Sequence, residues 1–534
     1  MNRTWDYIIV GAGAAGCLLA NRLTACGRYR VLLLEAGPAG RSLALGLPIG
    51  WTSVAYGKAF NWGFATEPET GAANRRVRWP RGRALGGSTA INGMIYVRGH
   101  PRDFDDWAAA GAEGWDWQSI EPYFHRFENH STSPVEGRLH VQQAKPSLWG
   151  ERFISACEAA GIARNENYLE GGTGGAGYYH QNVFRGWRQS GKLAFLNAAR
   201  RRPNLTVMTD ALVDQLLIDD ARISGVLWRR GNGEPQAARA AQTILAAGAI
   251  GSPVILQRSG IGDAAHLQSV GIAPVIDRPA VGENLQDHFG TLVATETQAE
   301  GTLWAAVRPR RLPGQLWGYL SRRDGLLAMP SSDVFVFHES GCGEPGRPDI
   351  QVHFTPAAGI HDEATGRSAM DPMPGVTAIT YPMHPTSRGD VLITSAESDA
   401  PPQIRANYLS TEHDRSVLLS GIRMLRKIYD SEPMRTYRGA EIRPGATAQS
   451  DEELLAKAGQ QGTTGYHPVG TCRMGTDDDA VIDPDLKLRG LSGLSVIDAS
   501  VMPKLTSGNT MAATYMIAEF GATKLLRQAS GGNG

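Results

Sequence analysis

The hydrophobic pattern is clearest near the two ends of the chain. An unbroken apolar run, Tyr7-Ile8-Ile9-Val10, predicts a buried strand. Gly11-x-Gly13-x-x-Gly16 follows at once, Ala14 to Ala25 reads as a helix, and Arg30 to Leu34 gives a second buried strand ending on Glu35. Thr243-Ile244-Leu245 repeats the theme, with small residues through Ser252-Pro253, a helix to Arg258 and a glycine stop at Gly260-Ile261-Gly262. Leu494 to Ile497 is a further strand, ending on Asp498. Ser507-Gly508-Asn509-Thr510 then caps a final apolar helix, Met511 to Leu526.

The middle reads differently. Residues 101–130 are helical and amphipathic, with Trp107, Trp115, Trp117, Tyr123 and Phe127 as core candidates, and residues 203–230 alternate as strands. Gly171 to Gly177 reads as a loop. Residues 38–80 carry little periodicity but many Gly, Pro and aromatic positions, which suggests an ordered excursion covering a ligand. From about 300 to 460, short runs (Asp333 to Phe337, Ile350 to Phe354, Val376 to Tyr381, Asp390 to Thr394) and a helix over 412–430 predict a mostly antiparallel sheet with helices, suited to a substrate domain.

Composition narrows the class. The 534 residues suffice for large cores, and 42% apolar with 20% charged residues is globular. Lys plus Arg and Asp plus Glu are both 53, so nothing predicts electrostatic attraction to nucleic acid or acidic lipid. No apolar run is long enough to span a bilayer. MNRTW leads straight into the first strand, leaving no room for a signal peptide. Cys17, Cys26, Cys157, Cys342 and Cys472 form no metal-ligand spacing, so no metal is expected and a reduced, cytoplasmic protein is the economical reading. The tail, 528–534, is expected to fray.

Three motifs carry candidate chemistry. In the first turn, Gly11 allows the bend, Gly13 lets backbone approach a pyrophosphate, and Gly16 lets helix and strand pack closely. The helix start offers N–H groups and a positive dipole end, and Glu35 can accept from ribose hydroxyls. Alone, this turn fits NAD as well as FAD. Pro80 to Gly93 (PRGRALGGSTAING) reads as a second loop feeding a helix start, where Ser88, Thr89 and Arg83 could meet phosphate or a ring carbonyl; an ordinary helix cap is the plain alternative. His467 opens the loop HPVGTCRMG, and an imidazole can accept a proton at neutral pH.

Together with GAIGSPVILQRSGIG (248–262), VGENLQDH (281–288) and DASVMP with SGNT (498–510), these motifs in this order resemble the glucose–methanol–choline oxidoreductase family, in its choline-dehydrogenase-like branch. The resemblance runs from about residue 5 to 525. It implies an α/β protein: a discontinuous, Rossmann-like FAD-binding domain (1–130, 190–300, 462–534) and a substrate-binding domain (131–189, 301–461) with a mostly antiparallel sheet and flanking helices. It implies FAD held by Gly11, Gly13, Ala14, Ala15, Gly16, Glu35, Ala36, Arg83, Gly86, Gly87, Ser88, Asn92, Gly93, Val213, Asp498, Ala499, Asn509 and Thr510. The final helix would point its positive end at the flavin, favouring the anionic reduced form. Ile91 stands where some relatives attach FAD through histidine, so non-covalent FAD is expected, with His100 nearby as the alternative.

By the same resemblance, a primary alcohol is oxidised to the aldehyde with His467 as base or hydrogen-bond partner and Asn509 orienting the hydroxyl. Electrons pass to a quinone or other acceptor; an O2-using oxidase and a lyase of the same fold remain open. Asp333 falls where relatives carry a substrate-binding Glu, with a solvent-facing strand residue as the alternative, and Tyr466 neighbours the base. Met511 and Ala513 replace residues that relatives often have as Asn and Pro. Peripheral membrane attachment and the oligomeric state stay open.

Overall fold

A computed structural model describes residues 4–531 except 132, 171, 173, 232 and 363–366. Two seven-stranded sheets organise it. The first is built from the apolar runs. Strand Trp5–Val10 lies at its centre, parallel to Val31–Leu34 on one side and Gln236–Leu245 on the other. Leu205–Met208 extends the parallel part beyond Val31–Leu34, and Leu494–Val496 pairs with the far half of Gln236–Leu245. The alternating segment forms the antiparallel strands Ala211–Asp219 and Arg222–Arg230. Helix Ala14–Thr24 packs on the last helix, Met511–Gly531. Ile8, Ile9, Leu18, Leu33, Ile244 and Ile517 are fully buried in this core.

The second sheet runs Arg438–Arg443, Phe289–Thr297, Gly375–Pro382, Ile350–Thr355, Val334–His338, Gly175–Tyr178 and is antiparallel throughout; Thr463–Thr464 also pairs with Phe289–Thr297. Helix Glu412–Tyr429 covers one face with Val417, Leu418, Ile422, Leu425 and Ile428. The family-implied boundary at 300 falls just after a strand, 289–297, that already belongs to this sheet.

Three local expectations change. The loop expected at Gly171–Gly177 ends in a true strand, Gly175–Tyr178, because Gly177 lets its backbone lie against the Asn165 carbonyl where a Cβ would collide. The second glycine loop yields only one 3-10 turn, Gly87–Ala90, since Gly86 and Gly87 both take positive φ (+102° and +52°). Ser88 and Thr89 do not cap it: the Ser88 hydroxyl accepts from Gly82 N–H, and Thr89 donates to the Gly86 carbonyl. The excursion over 38–80 contains short helices and a hairpin, Phe64–Glu69 with Arg75–Trp79. The last helix continues to Gly531, and the final tail residues, 532–534, lie outside the described residues.

Gly16 fixes how strand and helix meet, because its missing Cβ is where the Gly11 carbonyl lies. Gly16→Ala must therefore open that crossing, and we expect a loss of about 3 kcal/mol in urea unfolding; an unchanged midpoint would show that the crossing adjusts freely.

Candidate active site

One cavity of about 960 Å³ draws its lining from both sheets. At one end stand Gly11, Gly13, Ala14, Ala15, Glu35, Ala36 and Val213; Arg83, Gly87, Ser88, Asn92 and Gly93 line its middle wall; Asp498, Ala499, Tyr466, His467, Asn509 and Thr510 close the rest. The excursion over 38–80 contributes Trp51, Tyr56, Trp62 and Phe64, so it does cover the cavity.

The first end suits an anionic dinucleotide. Helix Ala14–Thr24 begins at Gly13 with no side-chain cap, so its first N–H groups are left for a ligand. A Cβ on Gly13 would meet only open space, whereas one on Gly11 would sit 2.5 Å from the Ala246 carbonyl oxygen and one on Gly87 would sit 2.6 Å from Gly13 Cα. Gly86 donates to the Ala12 carbonyl at 2.8 Å and ties the second loop to the first turn. Gly16 and Gly86 thus support the cradle rather than line it. Glu35 accepts from Ala12 N–H and Gly37 N–H, both at 2.8 Å; burial pushes its carboxyl up to about 7 against the pull of those donors.

Asp498 holds the cavity wall together. Its carboxylate accepts from Gly248 N–H (2.8 Å), the Ser252 hydroxyl (2.6 Å), Ser500 N–H (2.8 Å) and the Ser500 hydroxyl (2.6 Å). It therefore fixes the start of helix Gly248–Arg258, whose small residues Gly248, Ala249 and Gly251 line the cavity. Arg83 is exposed and lies over the Trp62 ring, 4.9 Å from its centroid. Met511 sits 3.3 Å from Asn92 Nδ2 through its sulfur and reaches the cavity lining.

At the other end His467 and Asn509 meet, Asn509 Nδ2 lying 2.9 Å from His467 Nε2. The protonation of this imidazole follows from its neighbours. His288 Nε2 faces the Met383 carbonyl at 2.9 Å, and a carbonyl only accepts, so His288 carries its proton on Nε2. Burial lowers His288 to about 3, so it is neutral and its Nδ1 must accept. The partner of that Nδ1, at 2.9 Å, is His467 Nδ1, which therefore donates. His467 Nε2 is left with its lone pair toward Asn509 and the cavity. Burial first, then His288, His353 and Arg81, lower His467 well below the usual imidazole range.

Asn509 is oriented from behind by residues that sequence reasoning missed. Its Oδ1 accepts from Gln351 Nε2 at 3.3 Å, and the same amide donates to Tyr179 OH at 2.7 Å. Gln351 Oε1 accepts from Tyr381 OH at 2.6 Å, leaving His353 Nε2–H as donor to Tyr381 at 2.7 Å. These residues come from facing positions on neighbouring strands, where Gln351 pairs in register with Tyr381. Asp287 holds the base by its backbone: its Oδ1 accepts from His467 N–H at 2.7 Å, and its Oδ2 from Tyr408 OH and Thr464 OH, both at 2.5 Å. The motif VGENLQDH was the available signal for Asp287 and His288. Gln351 and Tyr381 had none.

One expected residue is elsewhere. Asp333 does not line the cavity; Ser331 and Ser332 do, and Asp333, the last residue before strand Val334–His338, turns toward Ser147 instead. It accepts from the Ser147 hydroxyl at 3.2 Å, and burial pushes its carboxyl up to about 6. Neither the substrate-binding acid nor the solvent-facing residue describes it. Tyr466 lies beside the base, its hydroxyl bonded to that of Tyr56. His100 caps helix Pro101–Ala109 by accepting from Arg102 N–H. Cys472 is fully buried and unbridged, and among the described residues no His/Cys/Asp/Glu cluster could hold a metal.

Residues 5–290 and 385–518 match the N- and C-terminal family models described as GMC oxidoreductase. The oxygen-dependent choline dehydrogenase of Photobacterium profundum is 39% identical over 539 residues, covering 98% of this chain and 94% of that protein. The alcohol dehydrogenase (acceptor) of Pseudomonas putida is 38% identical over 535 residues, covering 98% and 96%. The crystal structure of pyridoxine 4-oxidase from Mesorbium loti superposes with a TM-score of 0.87 at 30% identity, covering 98% of this chain and 99% of that one.

Asp287 is buried with three donors on it, so Asp287→Ala strands them all. We expect a loss of about 3 kcal/mol in denaturant unfolding; a loss below about 1 kcal/mol would mean that the three donors find other partners.

Proposed function

The chain belongs to the GMC oxidoreductase family, and we propose that it oxidises an uncharged primary alcohol to the aldehyde using non-covalent FAD. Electrons then pass to a quinone or another acceptor. The observation that carries this reading is the lone pair of His467 Nε2, which accepts from Asn509 Nδ2 and faces the cavity.

The cradle fits FAD. Gly11, Gly13, Gly87 and the uncapped helix start would hold the pyrophosphate, Glu35 the ribose, and Asn92, Gly93 and Thr510 the flavin end. When bound, the flavin supplies the acceptor for hydride from the carbinol carbon. Ile91 packs in a small apolar cluster with Leu45, Val54 and Ala90, and His100 is engaged as a helix cap, so neither offers an attachment point.

His467 does the proton chemistry. An alcohol O–H brought against Nε2 competes with Asn509 for the lone pair and gives its proton to that atom. The developing imidazolium keeps its Nδ1–H on His288, which in turn stays anchored to the Met383 carbonyl. Asn509, held by Gln351, donates from Nδ2 to the alcohol oxygen as negative charge grows there. The final helix starts at Met511, directly after this pair, and its positive end adds to the same effect.

The lining near the base is aromatic, with Tyr56, Tyr381 and Tyr466. An acid to pair with a cationic alcohol is not supplied by Asp333, which faces Ser147. Glu67, which does line the cavity, is paired with Arg76 at 2.8 Å. This favours a neutral alcohol over a quaternary ammonium one.

Anaerobic mixing with a panel of neutral and cationic primary alcohols tests the reading. Neutral alcohols should bleach the bound flavin; bleaching by choline alone would overturn the substrate class, and no bleaching by any would favour a lyase. Peroxide formation in air would assign the oxidase variant instead. His467→Ala should keep its flavin but reduce it ~10²-fold or more slowly. Because His467 is lowered below the ordinary value of about 6.5, its basic form persists at all higher pH. The wild-type reduction rate should therefore be flat from neutral pH upward and fall only in acid. An inflection above neutrality would place the base elsewhere. Acid precipitation should leave a colourless pellet and a yellow supernatant, and a yellow pellet would establish a covalent link.

A further inference from the structure

Helix Leu312–Arg322 is built inside out. Its inner face is anchored by Tyr319, which is buried and donates from its hydroxyl to the Gly186 carbonyl at 3.0 Å. Gln315 accepts from Leu326 N–H at 2.9 Å. The outer face should then be polar, as on most surface helices. It carries instead Leu312, Leu316, Trp317 and Leu320, which are 42%, 51%, 69% and 59% exposed. Their spacing of i, i+4, i+5 and i+8 puts all four on one side of the helix.

The charge around this stripe is one-sided. Residues 303–323, LWAAVRPRRLPGQLWGYLSRR, hold five arginines and no carboxylate, in a chain whose basic and acidic totals are equal at 53 each. Arg310 and Arg311 form no ion pair among the described residues, Arg322 acts on the carboxylate of Asp324 just past the segment, and Arg308 and Arg323 lie over the rings of Trp304 and Tyr319. Exposed Trp and Leu bracketed by unpaired arginines match an anionic lipid headgroup layer, with the apolar stripe at the acyl boundary and guanidinium groups on phosphates. A second copy of the chain fits poorly, since a two-fold contact through this face would bring two five-arginine sets together, with Asp324, already paired with Lys145, as the adjoining carboxylate.

We propose that helix Leu312–Arg322 and its flanking arginines seat the protein on an anionic phospholipid surface. The seat adjoins the cavity. After the helix, the single turn Leu326–Ala328 packs against Pro48–Gly50, and Trp51, next in the chain, lines the cavity. A molecule leaving the bilayer would therefore meet the cavity wall within two short elements.

The test is sedimentation of the flavin-loaded protein with vesicles, a readout that needs no turnover and so stands apart from the alcohol chemistry. The protein should pellet with vesicles of phosphatidylglycerol and phosphatidylcholine, remain in solution with phosphatidylcholine alone, and be partly released by added salt. Leu316→Ser/Trp317→Ser/Leu320→Ser should abolish pelleting. Arg310→Gln/Arg311→Gln should lower partitioning roughly tenfold or more. Retained yellow colour and an unchanged unfolding midpoint verify that each variant is folded. No pelleting with phosphatidylglycerol, or pelleting unaffected by both variants, overturns the proposal. So does a stable dimer in sedimentation velocity that the triple serine variant converts to monomer, which would assign the stripe to self-association.

Discussion

The carbonyl of Met383 decides what His467 can do. A backbone carbonyl has lone pairs and no proton, so it forces the proton of His288 onto Nε2. The remaining nitrogen of His288 must accept, and the proton of His467 is forced onto Nδ1 in turn. Two imidazoles in series thus convert a fixed main-chain acceptor into a lone pair at one chosen atom, Nε2. The usual device of orienting a catalytic histidine with a carboxylate would also raise its pKa. Here the orienting group is neutral. The base gains direction without being made more basic, and burial among His288, His353 and Arg81 keeps it unprotonated. A carboxylate is nearby, but Asp287 spends its oxygens on the His467 backbone N–H and on two hydroxyls.

That arrangement requires both sheets. His467 and Asn509 come from segments that follow the second sheet in sequence but lie against the first, while Met383, Gln351 and Tyr381 belong to strands of the second sheet or follow one directly. The neutral network His353–Tyr381–Gln351 sets the amide of Asn509, and the neutral pair His288–Met383 sets the imidazole of His467. Each half of the pair is held from the same sheet. The glycine cradle at the other end of the cavity is held by the turn after the first strand and by the loop over 80–93, through Gly11 against Ala246 and Gly87 against Gly13. Binding of the nucleotide and placement of the proton acceptor are therefore structurally separable.

This separation explains what can be read from the chain and what cannot. The first turn is local: strand, turn, helix and acid lie within thirty-odd residues, and Gly11, Gly13 and Glu35 are legible from spacing alone. His467 and Asn509 are visible because they sit in short motifs with a known order. Gln351, His353 and Tyr381 are invisible because only antiparallel register brings them together, and register is not written in either strand by itself. The expectation for Asp333 fails for a related reason. Asp333 lies in the lead-in to strand Val334–His338, where Ser331 and Ser332 reach the cavity and Asp333 reaches Ser147, a turn that no pattern in the sequence states. The strand Gly175–Tyr178 reads as a loop because glycine carries no strand propensity, although close approach to Asn165 is what its glycines permit.

Net charge is the least informative quantity of all. A total of zero argues against any charged partner, yet a sum cannot record where charges sit. Many arginines in this chain are spent internally: Arg347 on Asp103 and Asp106, Arg98 on Glu128, Arg426 on Glu441. Pairs of this kind cancel in the total and contribute almost nothing to the field outside the protein. The arginines of 303–323 are not cancelled locally. They surround a stripe of exposed apolar side chains that the two cores do not use. Apolar exposure alone would mark an aggregation hazard, and positive charge alone would mark a solvated face. The two on one short helix, anchored from behind by a single buried tyrosine, describe a surface made to meet an anionic, apolar-centred partner without disturbing the cavity beside it.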